Sequence, residues 1–423
     1  MKLVEFVPPT PHPLWKLCPQ MGITDVIVKV NPDLTGLADP WKYETLSSIV
    51  SRLKSAGLNV VGLEGDPFDM SPIKEYGANG LGNNIDNYEN NLGAAGGQQP
   101  ADPKNRAQLR TEEKGSCLSC FQKREVALAH YRELLESMGK LGIKLLCYNF
   151  MVGKGWSRTG VREGRGGAKA TYFSLAETKK TSDFGHQTSS AEVESRKSEV
   201  LRLSHDQVWA NYEYFIKAVM PMAERCGIRM GLHPDDPCLP SLGGYARIFG
   251  SVEAYDRAYA LYPSPSNAVT FCQANFKLML GEVGENSSSS RKDENSTLQL
   301  QLETPTQFSN SNSKLQLNTL AAVARHFGKR IAFIHVRDVE GDKTDFTELF
   351  HDQGTTDQFA LMRTYRELGL DVPVRGDHVP EMAYDRVLTP EGTPGYFTLG
   401  RLFANGYLKA LLQGTLGRLK KEG

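Results

Sequence analysis

Four apolar runs of this chain each hand over to a side chain that can bind a metal. IRMGL (228–232), AVTF (268–271), IAFI (331–334) and VPV (372–374) are followed by His233, Cys272, His335 and, past Arg375 and Gly376, Asp377. Each residue alone reads more readily as structural: a strand-end imidazole, a small buried thiol, a turn aspartate. If the four runs are parallel strands of one barrel, their ends share a rim and the four side chains reach one divalent ion. Two imidazoles, a thiolate and a carboxylate make a mixed site. A closed tetrahedral zinc site is one reading; Mn²⁺ or Fe²⁺ fits better if open positions must accept a hydroxy acid. Removing a proton α to a carboxylate requires an electrophile for the developing charge, which a metal supplies, together with a base and an acid. His378, beside Asp377, and Tyr396, in the Pro394-Gly395-Tyr396 turn, are the candidates. On a regular strand neighbours point to opposite faces, so Asp377 and His378 share a mouth only if the strand ends there.

The elements that must position these groups follow in order. Strands are expected at 3–7, 25–30, 58–63, 143–148, 228–232, 268–271, 331–334 and 372–374. Helices are expected over 14–21, 43–56, 124–141, 206–225, 252–261, 315–327, 357–368 and 398–412, from apolar spacing of three and four and from glycine stops such as Gly57. Eight strands alternating with helices predict an α/β fold, a (β/α)8 TIM barrel forming a single domain over 1–423. An open doubly wound sheet is the runner-up, and it lacks its glycine-rich phosphate turn here. Two stretches stand out as insertions on the catalytic face: 79–121, rich in Gly, Asn and Gln and expected to be flexible, and 284–314, a Ser-, Asn- and Gln-rich run expected to be disordered. Cys117 and Cys120 form a lone Cys-x-x-Cys, more readily coincidence than a metal or redox motif. The Gly- and Arg-rich stretch 152–171 reads either as a basic lid over an anionic substrate or as a solvated loop.

Composition narrows the class. Lys and Arg number 49 against 49 Asp and Glu, so the formal net charge is zero, which argues against nucleic acid or an anionic membrane as main partner. No run is long enough to span a bilayer. The prolines in MKLVEFVPPTPHPLW break up any signal-peptide pattern. Seven scattered cysteines in a chain of 423 residues favour a reducing compartment over a disulfide framework, so the cytoplasm is expected.

Several motifs, taken together, resemble one family. GLHPDDP (231–237), TFC (270–272), FIHVRD (333–338), RGDHVP (375–380), PGY (394–396) and GRLFANGY (400–407) are similar to mannonate dehydratases, metal-dependent barrels of the xylose-isomerase-like group. CYNFM (147–151) and Trp156 to Thr159 resemble that family's fourth strand and lid start. The likeness runs over most of 140–415. It implies β-elimination of water from D-mannonate to 2-keto-3-deoxy-D-gluconate in hexuronate (glucuronate) breakdown, one Mn²⁺ or Fe²⁺ as cofactor, and a homodimer. It carries the family's metal ligands onto His233, Cys272, His335 and Asp377, and its acid/base pair onto His378 and Tyr396, without assigning which is which. Asn149, Arg158, Asp236 and Arg337 are implied substrate contacts. The chain departs from the family in its N-terminal half. Val28-Lys29-Val30-Asn31-Pro32 stands where bacterial members resemble LHH-I-P, and Glu64-Gly65-Asp66-Pro67 where they have Glu-Ser-Val-Pro. Gly376 replaces a proline, and Gln273-Ala274 replaces Thr-Gly after Cys272. The competing readings are a different sugar-acid dehydratase, a metal-dependent sugar isomerase or epimerase, and a non-catalytic sugar-acid binder. A thiolate ligand argues against the isomerase, whose bimetal site favours carboxylates.

Overall fold

The computed structural model describes residues 1–30, 39–78, 118–153, 155–178, 202–281 and 319–416. Eight short apolar runs become the staves of a closed parallel barrel: Asp25–Val28, Asn59–Glu64, Leu145–Tyr148, Arg229–Leu232, Asn267–Cys272, Ile331–Val336 and Pro373–Gly376, with a first stave in two pieces. That first stave breaks at Val4. Lys2–Leu3 pairs with the eighth strand and Glu5–Val7 with the second, which closes the ring. The runner-up open sheet is thereby excluded.

Side-chain alternation sorts the residues into two layers. Val4, Ile27, Leu145, Cys147, Ala268, Ala332 and Phe333 pack inside the barrel. Their strand neighbours, such as Val26, Val28, Leu146, Met230 and Ile334, face the surrounding helices. This phase decides what reaches the mouth. Two residues beyond Phe333 comes His335, and two beyond Cys147 comes Asn149.

Three expectations need correction. The helix expected over 124–141 spans Cys120–Lys140, starting four residues early because Ser119 and Gln122 form a reciprocal capping box. Cys120 and Phe121 are therefore its first turn rather than the end of an insertion; residues 79–117, Cys117 among them, and all of 284–314 lie outside the described residues. The seventh strand runs on to Val336, so His335 is within it. The stretch 152–171 is not a plain loop. Gly160–Glu163 and Lys169–Ser174 form a hairpin that joins Asp345–Glu348 and Val339–Asp342 in a four-stranded antiparallel sheet. Its glycines mislead: Gly166 and Gly167, at φ of 63° and 80°, make the turn while Phe173 stacks on Phe346. The helix expected from 315 is described as Leu320–Phe327, capped by Thr319.

The closing helix, Thr398–Leu416, braces the end of the eighth strand. Gly400 lies so close to it that a Cβ would stand 2.5 Å from the Pro380 carbonyl oxygen and 2.9 Å from Val379. Gly406, on the same helix, has open space. Gly400→Ala is expected to lower stability by about 1–3 kcal/mol, the usual cost of overpacking. Gly406→Ala should instead be neutral or stabilising by up to about 1 kcal/mol. Urea unfolding of both variants checks this; equal effects would show that the helix yields at Gly400.

Candidate metal centre and acid/base pair

The four strand-end residues converge. Nitrogen, sulfur and oxygen atoms of His233, Cys272, His335 and Asp377 all lie within 4.8 Å of one another. His335 is fully buried, and neither of its ring nitrogens has a hydrogen bond. Leaving a buried polar atom unpaired costs about 1–3 kcal/mol, so this ring is built for a partner that the protein's own groups do not supply. His233 donates from Nδ1 to the Pro234 carbonyl (2.8 Å), which leaves Nε2 with its lone pair. Asp377 takes Arg375 Nη1 on Oδ1 (2.9 Å), while Oδ2 lies 3.6 Å from His335 Nδ1. Burial would push the Cys272 thiol up, but the adjacent His233 and His335 rings and the charge of Arg337 bring it down to about 5. Two imidazoles, a thiolate and a carboxylate thus suit a divalent transition metal.

A second grouping, Glu64, Cys147 and His335, shares one residue with the first. Glu64 is engaged by Arg375, through Nε (3.1 Å) and Nη2 (2.5 Å), and burial raises the Cys147 thiol. It is the poorer ligand set.

Beside the first set, the chain turns out of the eighth strand. His378 has φ of +40°, a conformation costing about 1–3 kcal/mol in a residue with a Cβ. That kink lets Asp377 and His378 face the same mouth. The Val379 N–H donates to the Gly395 carbonyl (2.8 Å), pinning the Pro-Gly-Tyr turn alongside. Tyr396 OH thereby reaches His378 Nε2 at 2.9 Å, with Asp377 Oδ1 at 3.3 Å. Burial, and then the Asp377 charge, hold the phenol well above its ordinary pKa, so it stays protonated. Trp156 covers both rings, 5.0 Å from His378 and 6.2 Å from Tyr396.

The other side of the imidazole meets a lattice of charge. Glu348, on the added sheet, lies 3.1 Å from His378 Nδ1 and accepts from both Arg158 (Nη2, 2.6 Å) and Arg337 (Nη2, 2.6 Å; Nε, 2.7 Å). Asp236 accepts from Arg158 Nη1 (2.7 Å) and Nη2 (2.9 Å) and from Arg337 Nη1 (2.8 Å). Arg158 Nη2 also approaches His378 Nδ1 at 3.2 Å, but its two hydrogens have closer acceptors in Asp236 and Glu348. In the neutral ring the proton therefore sits on Nδ1, donated to Glu348, and Nε2 carries the lone pair.

Three of the residues implied as substrate contacts, Arg158, Asp236 and Arg337, are thus brought together and bonded to one another. The fourth, Asn149, stands apart and accepts from Lys74 Nζ (3.0 Å) and the Met151 N–H (3.1 Å). Sequence reading missed Glu348, the centre of the lattice. Its only local signal is the short alternation Asp345-Phe346-Thr347-Glu348, and its partners are distant in the chain.

The family model described as D-mannonate dehydratase matches residues 117–285 and 304–422. Mannonate dehydratase 1 of Bacillus licheniformis is 27% identical over 319 residues, covering 71% of this chain and 76% of that one. The mannonate dehydratase of Lachnoclostridium phytofermentans is 28% identical over 312 residues, covering 68% and 75%. The crystal structure of mannonate dehydratase from Streptococcus suis serotype 2 superposes with a TM-score of 0.68 at 22% identity, covering 99% of this chain and 95% of that one, a likeness of fold.

Burial alone would raise the Glu348 carboxyl, but Arg337 and Arg158 bring it from 4.5 down to about 2. A carboxylate depressed by folding stabilises the protein above its unfolded value, and that stability is lost as pH falls through the folded one. The melting temperature should therefore fall as pH is lowered from about 4.5 toward about 2. Glu348→Gln is expected to cost about 3–5 kcal/mol at neutral pH, as when a buried pair loses one partner, and to flatten that acid slope. Thermal melts across pH test it; an unchanged slope would remove Glu348 from the ionic balance.

Proposed function

The chain belongs to the D-mannonate dehydratase family, and on that premise we propose that it is a metal-dependent hydro-lyase converting D-mannonate to 2-keto-3-deoxy-D-gluconate. The observation that carries this reading is the ligand set of His233, Cys272, His335 and Asp377 lying against the hydrogen-bonded pair His378 and Tyr396. Those four residues would hold one Mn²⁺ or Fe²⁺, which would supply the electrophile for charge developing next to the substrate carboxylate.

The chain's own groups move the protons. His378, oriented by Glu348, takes the C2 proton on Nε2. Tyr396, kept as a phenol, gives its proton to the C3 hydroxyl as the carbon–oxygen bond breaks and water departs. The proton now on His378 Nε2 returns to the Tyr396 oxygen across their 2.9 Å contact, so the pair ends as it began. The enol left between C2 and C3 ketonises to the 2-keto acid. Trp156 shields the two rings from solvent while this happens. Asn149, and the lattice of Arg158, Asp236 and Arg337, frame the substrate's other hydroxyls.

The proposed setting is the cytoplasm, in hexuronate breakdown. The six described cysteines are all free thiols, as a reducing compartment allows. No helix among the described residues is long and apolar enough to cross a membrane.

Anaerobic turnover of D-mannonate by protein loaded with Mn²⁺ or Fe²⁺ tests the proposal. Wild type should form the 2-keto-3-deoxy product. His378→Asn should keep its metal and lose roughly 10²–10⁴-fold in kcat, whereas Cys272→Ala should lose metal and activity together. Stoichiometric metal without product would overturn the substrate, and a protein that takes up no metal would overturn the catalytic reading.

A further inference from the structure

A sugar acid needs a cation at the barrel mouth whose charge is not already matched. The arginines there are all engaged: Arg158 and Arg337 with Asp236 and Glu348, and Arg375 with Glu64 and Asp377. Lys74 is held by Asp66, at 2.7 and 2.9 Å, and by Asn149. Lys29 is different. It makes no hydrogen bond or ion pair among the described residues.

Its position is set by the second strand. Val26, Val28 and Val30 pack outward against the helices, whereas Ile27 lies inside the barrel, so Lys29 projects into the mouth. Val28 pairs with Leu63, which places Lys29 beside Glu64 on the neighbouring strand. Glu64 gives its carboxylate to Arg375, and the ammonium of Lys29 stays unclaimed. The lysine stem is half-buried and runs along Gly65, where a Cβ would lie 3.5 Å from Cε and 3.7 Å from Cδ and Cγ. Gly65, at φ of +92° and without a side chain, leaves room for that stem. Lys29 also falls in the segment 28–32 where the chain departs from the family's pattern.

We propose that Lys29 is a specificity-determining residue that binds the carboxylate of the sugar-acid substrate and so selects aldonates over neutral sugars. This rests on the reading of the site as one for a sugar acid.

Calorimetric titration of metal-loaded protein with D-mannonate and with the neutral D-mannitol tests it, alongside KM and kcat. Lys29→Met is expected to weaken D-mannonate binding and raise KM roughly tenfold or more, the loss of one charge-assisted contact. Metal content, D-mannitol binding and kcat should change far less, and Lys29→Arg should restore most of the affinity. Equal D-mannonate affinity in wild type and Lys29→Met overturns the proposal, as does a parallel loss for D-mannitol or a wild type that binds no aldonate. Lysine-dependent binding of D-mannonate without turnover would sustain the proposal and instead overturn the dehydratase reaction.

Discussion

The structure depends on burying four charges together. Arg158 and Arg337 face Asp236 and Glu348 at distances of 2.6–3.0 Å, with all four side chains nearly inaccessible. Any one of them alone in that setting would be strongly unfavourable; as an equal set they satisfy one another. Because the four come from the start of the added sheet, the end of the fifth strand, the end of the seventh and the far hairpin, the requirement for pairing fixes how the sheet seats on the barrel. The site's imidazole hangs from the same lattice through Glu348, so its ring orientation and tautomer follow from it.

Two kinds of positioning therefore meet at the mouth. The four candidate metal ligands stand in or just past the ends of the fifth to eighth strands, held by the barrel's hydrogen-bonded wall and placed by backbone alternation. The candidate acid/base pair comes from the chain beyond the eighth strand and is placed by contacts that cross elements: Val379 to Gly395, Tyr396 to His378, and Glu348 to His378. Lys169 and Glu381 exchange backbone hydrogen bonds, joining the hairpin to the same chain segment. A cover built in this way links substrate enclosure to imidazole orientation.

What could be read from the sequence follows this division. The eight staves were legible because buried parallel strands are short continuous apolar runs, and the convergence of His233, Cys272, His335 and Asp377 was legible because they stand where those runs stop. The capping box at Ser119 and Gln122 was present to be read, and the helix start was still placed late at Arg124. The added sheet was not legible: glycines and arginines in 160–167 look like loop, and the hairpin's partner strand lies some 170 residues further along. Arg158, Asp236 and Arg337 could be recognised as belonging near the site. That they bind one another could not, since the residue that completes the set, Glu348, lies outside the matching motifs.

The split first stave has a consequence for how the molecule assembles. Lys2–Leu3 pairs as a strand with Pro373–Gly376, while Glu5–Val7 pairs with Asp25–Val28. The first strand to be synthesised must thus wait for the last before the ring is sealed. Until then the growing sheet exposes two unpaired edges, the kind of surface that pairs with other chains. Closure between segments so far apart in the chain is also entropically slow. The candidate metal ligands, by contrast, sit on the fifth to eighth strands, which pair side by side without that seam.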